Sequence, residues 1–147
     1  MKKKSILVVT IFILIVVVIT IKNSFVNTTA KQAEEESQDI LYQDVIITAL
    51  APTIDTAIDD YYKNVLSELP SYDSTSIKIL NIERPNDNRT WNFIINIEVT
   101  PFIGPHIMVG KDRISIKLSS PGLQEMLSYD HVEDYPLPDR YKDLYLN

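Results

Sequence analysis

The chain has no cysteine, three glycines and two histidines in 147 residues. Without cysteine there is no disulfide, no thiol nucleophile, no thiolate zinc site and no lipidated cysteine near the amino terminus. Scattered glycines cannot build a phosphate-binding loop, and no G-x-S-x-G motif is present. His106 and His131 are too far apart for a pair of metal ligands on one helix turn. We therefore predict no catalytic residue and no cofactor.

Positive charge is scarce outside the amino terminus. The 14 Lys and Arg residues face 20 Asp and Glu residues, for a net charge of −6. Four of the basic residues and none of the acidic ones precede residue 31, so the remainder carries a net charge of −10. Such an acidic surface repels phosphate backbones, which excludes nucleic acid as a partner.

In contrast, the amino terminus is strongly apolar. A run from Ile6 to Ile21, broken by two threonines, follows three lysines and ends at Lys22. Lysines ahead of an apolar stretch are typical of a secretory signal, and the positive end stays in the cytoplasm. We predict that residues 5–22 enter a membrane, at least transiently, and that the rest of the chain is extracytoplasmic.

Two interpretations of this segment stay open, because its length of about 24 Å falls short of a roughly 30 Å hydrocarbon core. In the first, a signal peptide is cut after Ala30, where Thr28 and Ala30 provide small side chains. In the second, an uncleaved anchor places Lys4 and Lys22 at the two interfaces. The mature protein is secreted in the first case and membrane-anchored in the second.

The remaining chain is divided by its composition. Residues 31–37 are polar and acidic and are interpreted as a tether. Residues 38–147 have the length of a single domain. Its first part has apolar residues every three or four positions from Ile40 to Leu66, which predicts a helix. Pro52 predicts a kink in this helix, or two abutting helices, and Pro70 is expected to lie beyond its end.

Beyond Ser71 the apolar period changes to two, as in an antiparallel sheet with one dry face. We predict an α+β fold, in which the helix packs on a three- to four-stranded antiparallel β-meander and a short helix ends the chain. The predicted strands cover residues 77–82, 91–99 and 114–119, with a loop over 101–111, a strand or helical turn over 123–132, and a last helix capped by Asp139.

Six segments in fixed order carry a family resemblance. They are Leu41-Tyr42-Gln43-Asp44, Leu50-Ala51-Pro52, Ala57-Ile58-Asp59-Asp60-Tyr61-Tyr62, Asn81-Ile82-Glu83-Arg84-Pro85, Val99-Thr100-Pro101-Phe102-Ile103-Gly104-Pro105-His106 and Leu137-Pro138-Asp139-Arg140-Tyr141-Lys142-Asp143. Over approximately residues 38–145 the chain resembles domain-of-unknown-function family 3888. The resemblance implies a small exported protein of a Gram-positive spore-forming bacterium, with one compact domain. It implies no activity and no functional residue.

Candidate binding residues are Phe102 and His106, in a loop stiffened by two prolines and a glycine. Rigid loops on a scaffold are where binding residues concentrate, although prolines also serve to stop edge pairing of a sheet. Arg84 and Arg89 flank a predicted turn and are further candidates, as a clamp for a carboxylate.

Candidate metal-binding or acid–base residues are Asp55 and Asp59, which lie one helical turn apart on the same side. Their alternative role is the solvated face of an amphipathic helix. Asn86-Asp87-Asn88 resembles the start of a calcium loop but lacks its glycine and distal glutamate, so a turn is predicted there.

These features favour a non-catalytic binding or structural domain of the cell envelope. Its partner would be the membrane, through residues 5–22, together with an envelope protein or a wall component. The alternative is a small hydrolase that uses Asp55 and Asp59 on a cell-wall polymer. A surface domain that responds to divalent cations is a third hypothesis.

Overall fold

The computed structural model describes residues 34, 37–85 and 89–146. The predicted membrane segment, the cleavage position after Ala30 and the turn over residues 86–88 lie outside the described residues. The chain divides into two units, Met1–Tyr42 and Gln43–Asn147. Within the described residues, the structure contains no helix with the length and apolarity needed to cross a membrane.

Helix α1 covers residues 37–62 and continues through Pro52, so the chain forms one helix here rather than two. Pro52 is exposed, which lets water solvate the carbonyl that lacks its helical partner. The helix ends at residue 62, earlier than its periodicity predicts. Leu66, the last residue of the apolar pattern, instead forms an isolated bridge with Tyr145 near the carboxyl terminus.

The main sheet confirms the predicted antiparallel meander and has four strands in the order β1-β2-β5-β6. The segment left open between strand and helical turn is strand β6. The predicted loop over residues 101–111 is instead a two-stranded hairpin followed by the start of β5. The strands are β1 Ile77–Glu83, β2 Phe93–Val99, β3 Phe102–Ile103, β4 Ile107–Met108, β5 Gly110–Ser119 and β6 Leu123–Asp134.

A bulge in β1 explains the uneven spacing of its apolar residues. Ile79 pairs with Ile97 and the next paired residue is Asn81, so Leu80 is the extra residue. One inserted residue shifts the alternation of faces by one position. Ile82 therefore lies opposite Ile95 and returns to the same face as Ile79.

The prediction that Trp91 begins the inward face of β2 is wrong. The strand begins at Phe93, and the Trp91 side chain is 79% exposed. Glu83 ends β1 opposite Ile94, and Leu118 of β5 pairs with Phe93. The chain before Phe93 therefore has left the ladders, and alternation alone no longer determines burial.

The core of the second unit lies between α1 and the inner face of the sheet. The helix contributes residues from Ile47 to Tyr62, and the strands contribute the inward residues of β2 and β5. The expected last helix is a 3-10 helix over Asp139–Leu144. The prediction that Asp139 caps it is wrong, because the cap position is Pro138 and no side chain bonds there.

Candidate functional site

The hairpin β3–β4 holds its tip in a left-handed conformation. Gly104 has φ of 47° and His106 has φ of 60°. The His106 amide donates a 2.9 Å hydrogen bond to the Gly104 carbonyl. A left-handed residue with a side chain costs roughly 1–2 kcal/mol, and such residues cluster at functional positions. The surrounding structure must therefore stabilise His106 in this state.

That stabilisation comes from Phe102 and Asp73. The rings of Phe102 and His106 stack with centroids 4.2 Å apart and planes 21° apart. The His106 Nε2 lies 3.4 Å from a carboxylate oxygen of Asp73. Hydrogen bonds from Thr75, first its hydroxyl, and from the Ser76 amide hold this carboxylate and lower the pKa of Asp73.

The stacked pair forms one wall of a cleft of about 220 Å³, which we call the hairpin cleft. The structure thus brings the predicted residues Phe102 and His106 together in one site. The cleft combines apolar and charged chemistry. It is lined by Asp73, Thr75, Ser76, Ile77, Lys78, Glu98, Thr100, Phe102, His106 and Met108.

The predicted arginine residues lie elsewhere. The Arg84 guanidinium lies 5.0 Å from the Phe93 ring centroid. Arg84 and Phe93 line a separate groove of about 580 Å³, together with Ile82 and Glu83. Arg89 is exposed on the other side of the turn that the structure does not describe.

Asp55 and Asp59 line a third groove, of about 380 Å³, between α1 and the chain around Tyr72. The Tyr72 hydroxyl donates a 2.5 Å hydrogen bond to Asp55. Burial, followed by this bond, raises the pKa of Tyr72, so the hydroxyl stays a donor. Among the described residues, the structure contains no group of three His, Cys, Asp or Glu side chains placed to hold a metal ion.

A cluster centred on Asp112 was not predicted from the sequence. Asp112 is 0% exposed, and both of its carboxylate oxygens are hydrogen-bonded. The Tyr62 hydroxyl, at the end of α1, donates to one oxygen at 3.1 Å. His131 of β6 binds the other through Nδ1 at 2.7 Å, and its Nε2 lies 3.0 Å from Asp134. One histidine therefore bridges a buried and an exposed carboxylate.

The rest of the Asp112 cluster is tightly packed. A Cβ at Gly110 would lie 2.6 Å from both the His131 ring and the Tyr62 hydroxyl, so glycine is required there. The Tyr61 ring stacks on His131 with centroids 4.7 Å apart. The buried Tyr129 hydroxyl lies near enough to Asp112 to help lower its pKa, but makes no hydrogen bond of standard geometry with a described residue.

Charge in the cluster is set by opposing effects. Burial raises the pKa of Asp112, and the hydrogen bond from His131 offsets part of that rise. Burial lowers the pKa of His131, but its hydrogen bonds to Asp112 and then to Asp134 outweigh that effect, and the net pKa is raised. His131 therefore keeps its proton to a higher pH than an exposed histidine.

A sequence signal for this cluster existed. Asp112 occupies an inward position two residues before Ile114 in the alternation of β5, where a charged side chain requires partners. The strand was predicted to begin at Ile114, because neither Gly110 nor Asp112 is apolar. The cluster was therefore assigned to the loop.

The family described as "Protein of unknown function (DUF3888)" matches residues 42–133. This confirms the resemblance that the ordered segments indicated. The matched region includes the hairpin and most of the Asp112 cluster, and it excludes Asp134. No curated protein and no solved structure matches the chain.

Proposed function

The chain belongs to the family of proteins of unknown function DUF3888, and we propose that it is a non-catalytic binding domain on the outer side of the cytoplasmic membrane. The family description gives no activity, so the support comes from the chain itself. The lysines and apolar run of residues 2–22 favour export, with the amino terminus either cut or kept as an anchor.

The observation that carries the binding role is the stacked pair of Phe102 and His106. His106 keeps a left-handed backbone although its side chain is 69% exposed, so burial of the imidazole does not explain that conformation. Stacking on Phe102 and contact with Asp73 instead hold the imidazole at a fixed angle beside the cleft. A fixed ring pair loses little conformational entropy when a partner binds.

The chemistry of the hairpin cleft favours a protein or wall component of the envelope as partner. Phe102 and Met108, which is 53% exposed, offer apolar contact area. Lys78 and Asp73 offer charges of both signs for hydrogen bonds at the rim. The acidic chain as a whole disfavours nucleic acid.

The export proposal is tested with a reporter fused through a flexible linker after Asn147, together with mass spectrometry of the native amino terminus. We expect reporter activity outside the cytoplasm. A terminus after Ala30 in culture supernatant would identify a signal peptide, and an intact terminus in the membrane fraction an anchor. A reporter active only in the soluble cytoplasm would refute export.

The binding surface is tested by placing a photo-crosslinking amino acid at Met108 in intact cells. We expect crosslinked partners from the envelope that are lost when Phe102 and His106 are both changed to alanine. A matched control changes Trp91 and Arg89 to alanine, which removes an exposed aromatic ring and an exposed charge outside the cleft. If the Phe102–His106 double variant keeps every crosslinked partner, the cleft is not the binding surface.

A second candidate function is hydrolysis of a wall polymer by Asp55 and Asp59. It is favoured by their position in one groove, where Tyr72 orients Asp55. Purified protein would then release wall fragments, and changing both residues to asparagine would abolish the release. Asparagine at Asp139 and Asp143, which are exposed and distant from the groove, is the matched control. Release that persists in the groove variant would exclude this function.

A further inference from the structure

We propose that Asp112, His131 and Asp134 form a proton-controlled latch that fastens the end of edge strand β6 to β5 and α1, at the base of the hairpin. The three side chains make a continuous chain of contacts of 2.7 and 3.0 Å through the two nitrogens of one imidazole. β6 is an edge strand, so one side of it lacks a neighbouring strand in the sheet. The latch stabilises the strand near its last residue.

The proton on His131 determines how many of these contacts are favourable. A protonated imidazole has two N–H donors, one for each carboxylate, whereas a neutral imidazole has one donor and one acceptor. When His131 loses its proton, one of the two carboxylates must therefore lose its donor. No atom of the fold other than this proton needs to leave for the change to occur.

Burial decides which carboxylate loses its donor. Asp112 is fully buried, and an unpaired buried carboxylate is costly, so the remaining N–H stays on Nδ1. The side chain of Asp134 is 89% exposed and can exchange its bond for water. Nε2 then presents a lone pair to the Asp134 carboxylate, and the two acceptors repel each other. The end of β6 is released while the link to Asp112 is kept.

The other titratable groups that face His131 do not compete for this proton. Tyr61 stacks on the ring and Tyr62 meets it edge-on from α1, while Tyr129 lies on β6 itself. Burial is the main cause that raises the pKa of each of these tyrosines. They stay neutral donors over the range in which histidine titrates, so Asp112 and Asp134 remain the charged partners.

The released end of β6 is connected to the hairpin. The Val109 amide donates a 2.9 Å hydrogen bond to the Pro101 carbonyl, which closes the base of the hairpin. The Val109 carbonyl accepts a 3.2 Å hydrogen bond from the Tyr135 amide, one residue after Asp134. Movement of Asp134 therefore reaches Val109 directly. Control of binding through this path rests on the proposed function of the hairpin cleft, whereas the latch does not.

The latch is tested by NMR on the full-length protein in detergent micelles without any binding partner. The imidazole of His131 and the backbone amides of residues 129–134 and of Val109 are followed from about pH 5 to about pH 9, the interval in which histidines titrate. We expect the imidazole and these amides to shift with one common midpoint. Above it, hydrogen exchange of the β6 amides should accelerate several-fold relative to the amide of Ile97 in the core.

Variants separate the latch from general pH effects. His131→Gln should abolish the coupled shift, and His106→Gln, which removes the other histidine, should preserve it. Asp134→Asn serves if His131→Gln does not fold. Its amide can accept from a protonated imidazole or donate to a neutral one, so His131 should titrate while the β6 amides stay unchanged.

Two results would overturn the latch. One is titration of His131 in the natural protein with no accompanying shift in residues 129–134. The other is a coupled shift that persists unchanged in Asp134→Asn. A failure of the crosslinking experiment at the hairpin cleft would leave this test unaffected, because no partner is present in it.

Discussion

The Tyr62 hydroxyl donates a hydrogen bond to the Asp112 carboxylate across 50 residues of chain, and so joins the end of α1 to β5. Asp112 is an ionisable side chain among the inward-facing residues of the sheet, where an unpaired charge would be strongly destabilising. Tyr62 from the helix and His131 from β6 bind opposite oxygens of it. One buried carboxylate thus connects three elements of the fold.

Removing the Tyr62 hydroxyl is expected to destabilise the protein. Tyr62→Phe should lower the free energy of unfolding by about 1–3 kcal/mol, because a hydrogen bond to a buried carboxylate is lost. Urea unfolding followed by circular dichroism measures it. Tyr61→Phe is the matched control, since its ring still stacks on His131, and it should cost clearly less. Equal losses for the two variants would contradict the role given to Tyr62.

Gly110→Ala is expected to disrupt the same cluster by steric overlap. The new Cβ would lie 2.6 Å from the His131 ring and the Tyr62 hydroxyl and 2.9 Å from the Glu133 carbonyl oxygen. Overpacking of this kind costs about 1–3 kcal/mol or more in unfolding free energy. Gly104→Ala meets nothing within 4 Å and adds only left-handed strain of roughly 1–2 kcal/mol. A larger loss at Gly104 than at Gly110 would show that the cluster can relax.

The stability of the protein is expected to depend on pH through His131. The pKa of this histidine is raised in the folded state above its ordinary value of 6.5. Its contribution to stability is therefore complete below pH 6.5 and is lost as the pH rises through the folded-state pKa. Urea unfolding across this interval should show a falling free energy for the natural protein. His131→Gln should remove that decline and His106→Gln should retain it; equal declines in both variants would contradict the assignment.

Replacing Pro52 is expected to stabilise α1. The proline lies inside a continuous helix and is exposed, so alanine can restore the missing backbone donor without disturbing the core. Pro52→Ala should raise the unfolding free energy by up to about 3 kcal/mol. Thr56→Ala, also exposed on the helix, leaves the backbone donors unchanged and should gain less than about 0.7 kcal/mol. No gain at Pro52 would indicate that proline-specific packing offsets the missing donor.

The single tryptophan provides a direct test of the sheet boundary. Because Trp91 is 79% exposed, its fluorescence emission should resemble that of tryptophan in water. Unfolding in urea should change the emission wavelength little, and acrylamide should quench both states strongly. A blue-shifted emission that moves to longer wavelength on unfolding would mean that Trp91 is buried and that β2 begins earlier than Phe93.

The fold was largely predictable because its two periods are clear in the sequence. Apolar spacing of three and four ends with Tyr62 and Leu66, and alternation begins at Ile77. Even the bulge at Leu80 was present as an apolar spacing of two and then three. The boundaries failed where pattern and pairing differ, as at Trp91, whose position continues the alternation after both neighbouring ladders have ended.

The candidate site was predictable only in its local part. Phe102 and His106 are four positions apart in a stiff hairpin, so sequence could indicate that they act together. The Asp112 cluster depends on long-range register instead, because Tyr62 and His131 approach Asp112 from separations of 50 and 19 residues. Neither distance is fixed by a local motif, and only the pairing of α1, β5 and β6 places the three groups together.

The carboxyl-terminal strap has a consequence for the order of events during synthesis. The Leu146 amide bonds to the Val65 carbonyl, and the Ser67 hydroxyl bonds to the Leu144 carbonyl 77 residues further on. A ribosome finishes the helix long before it makes the residues that close over its end. A nascent or prematurely terminated chain therefore leaves this end of the core open to water, which makes it a substrate for chaperones and proteases until the last residues arrive.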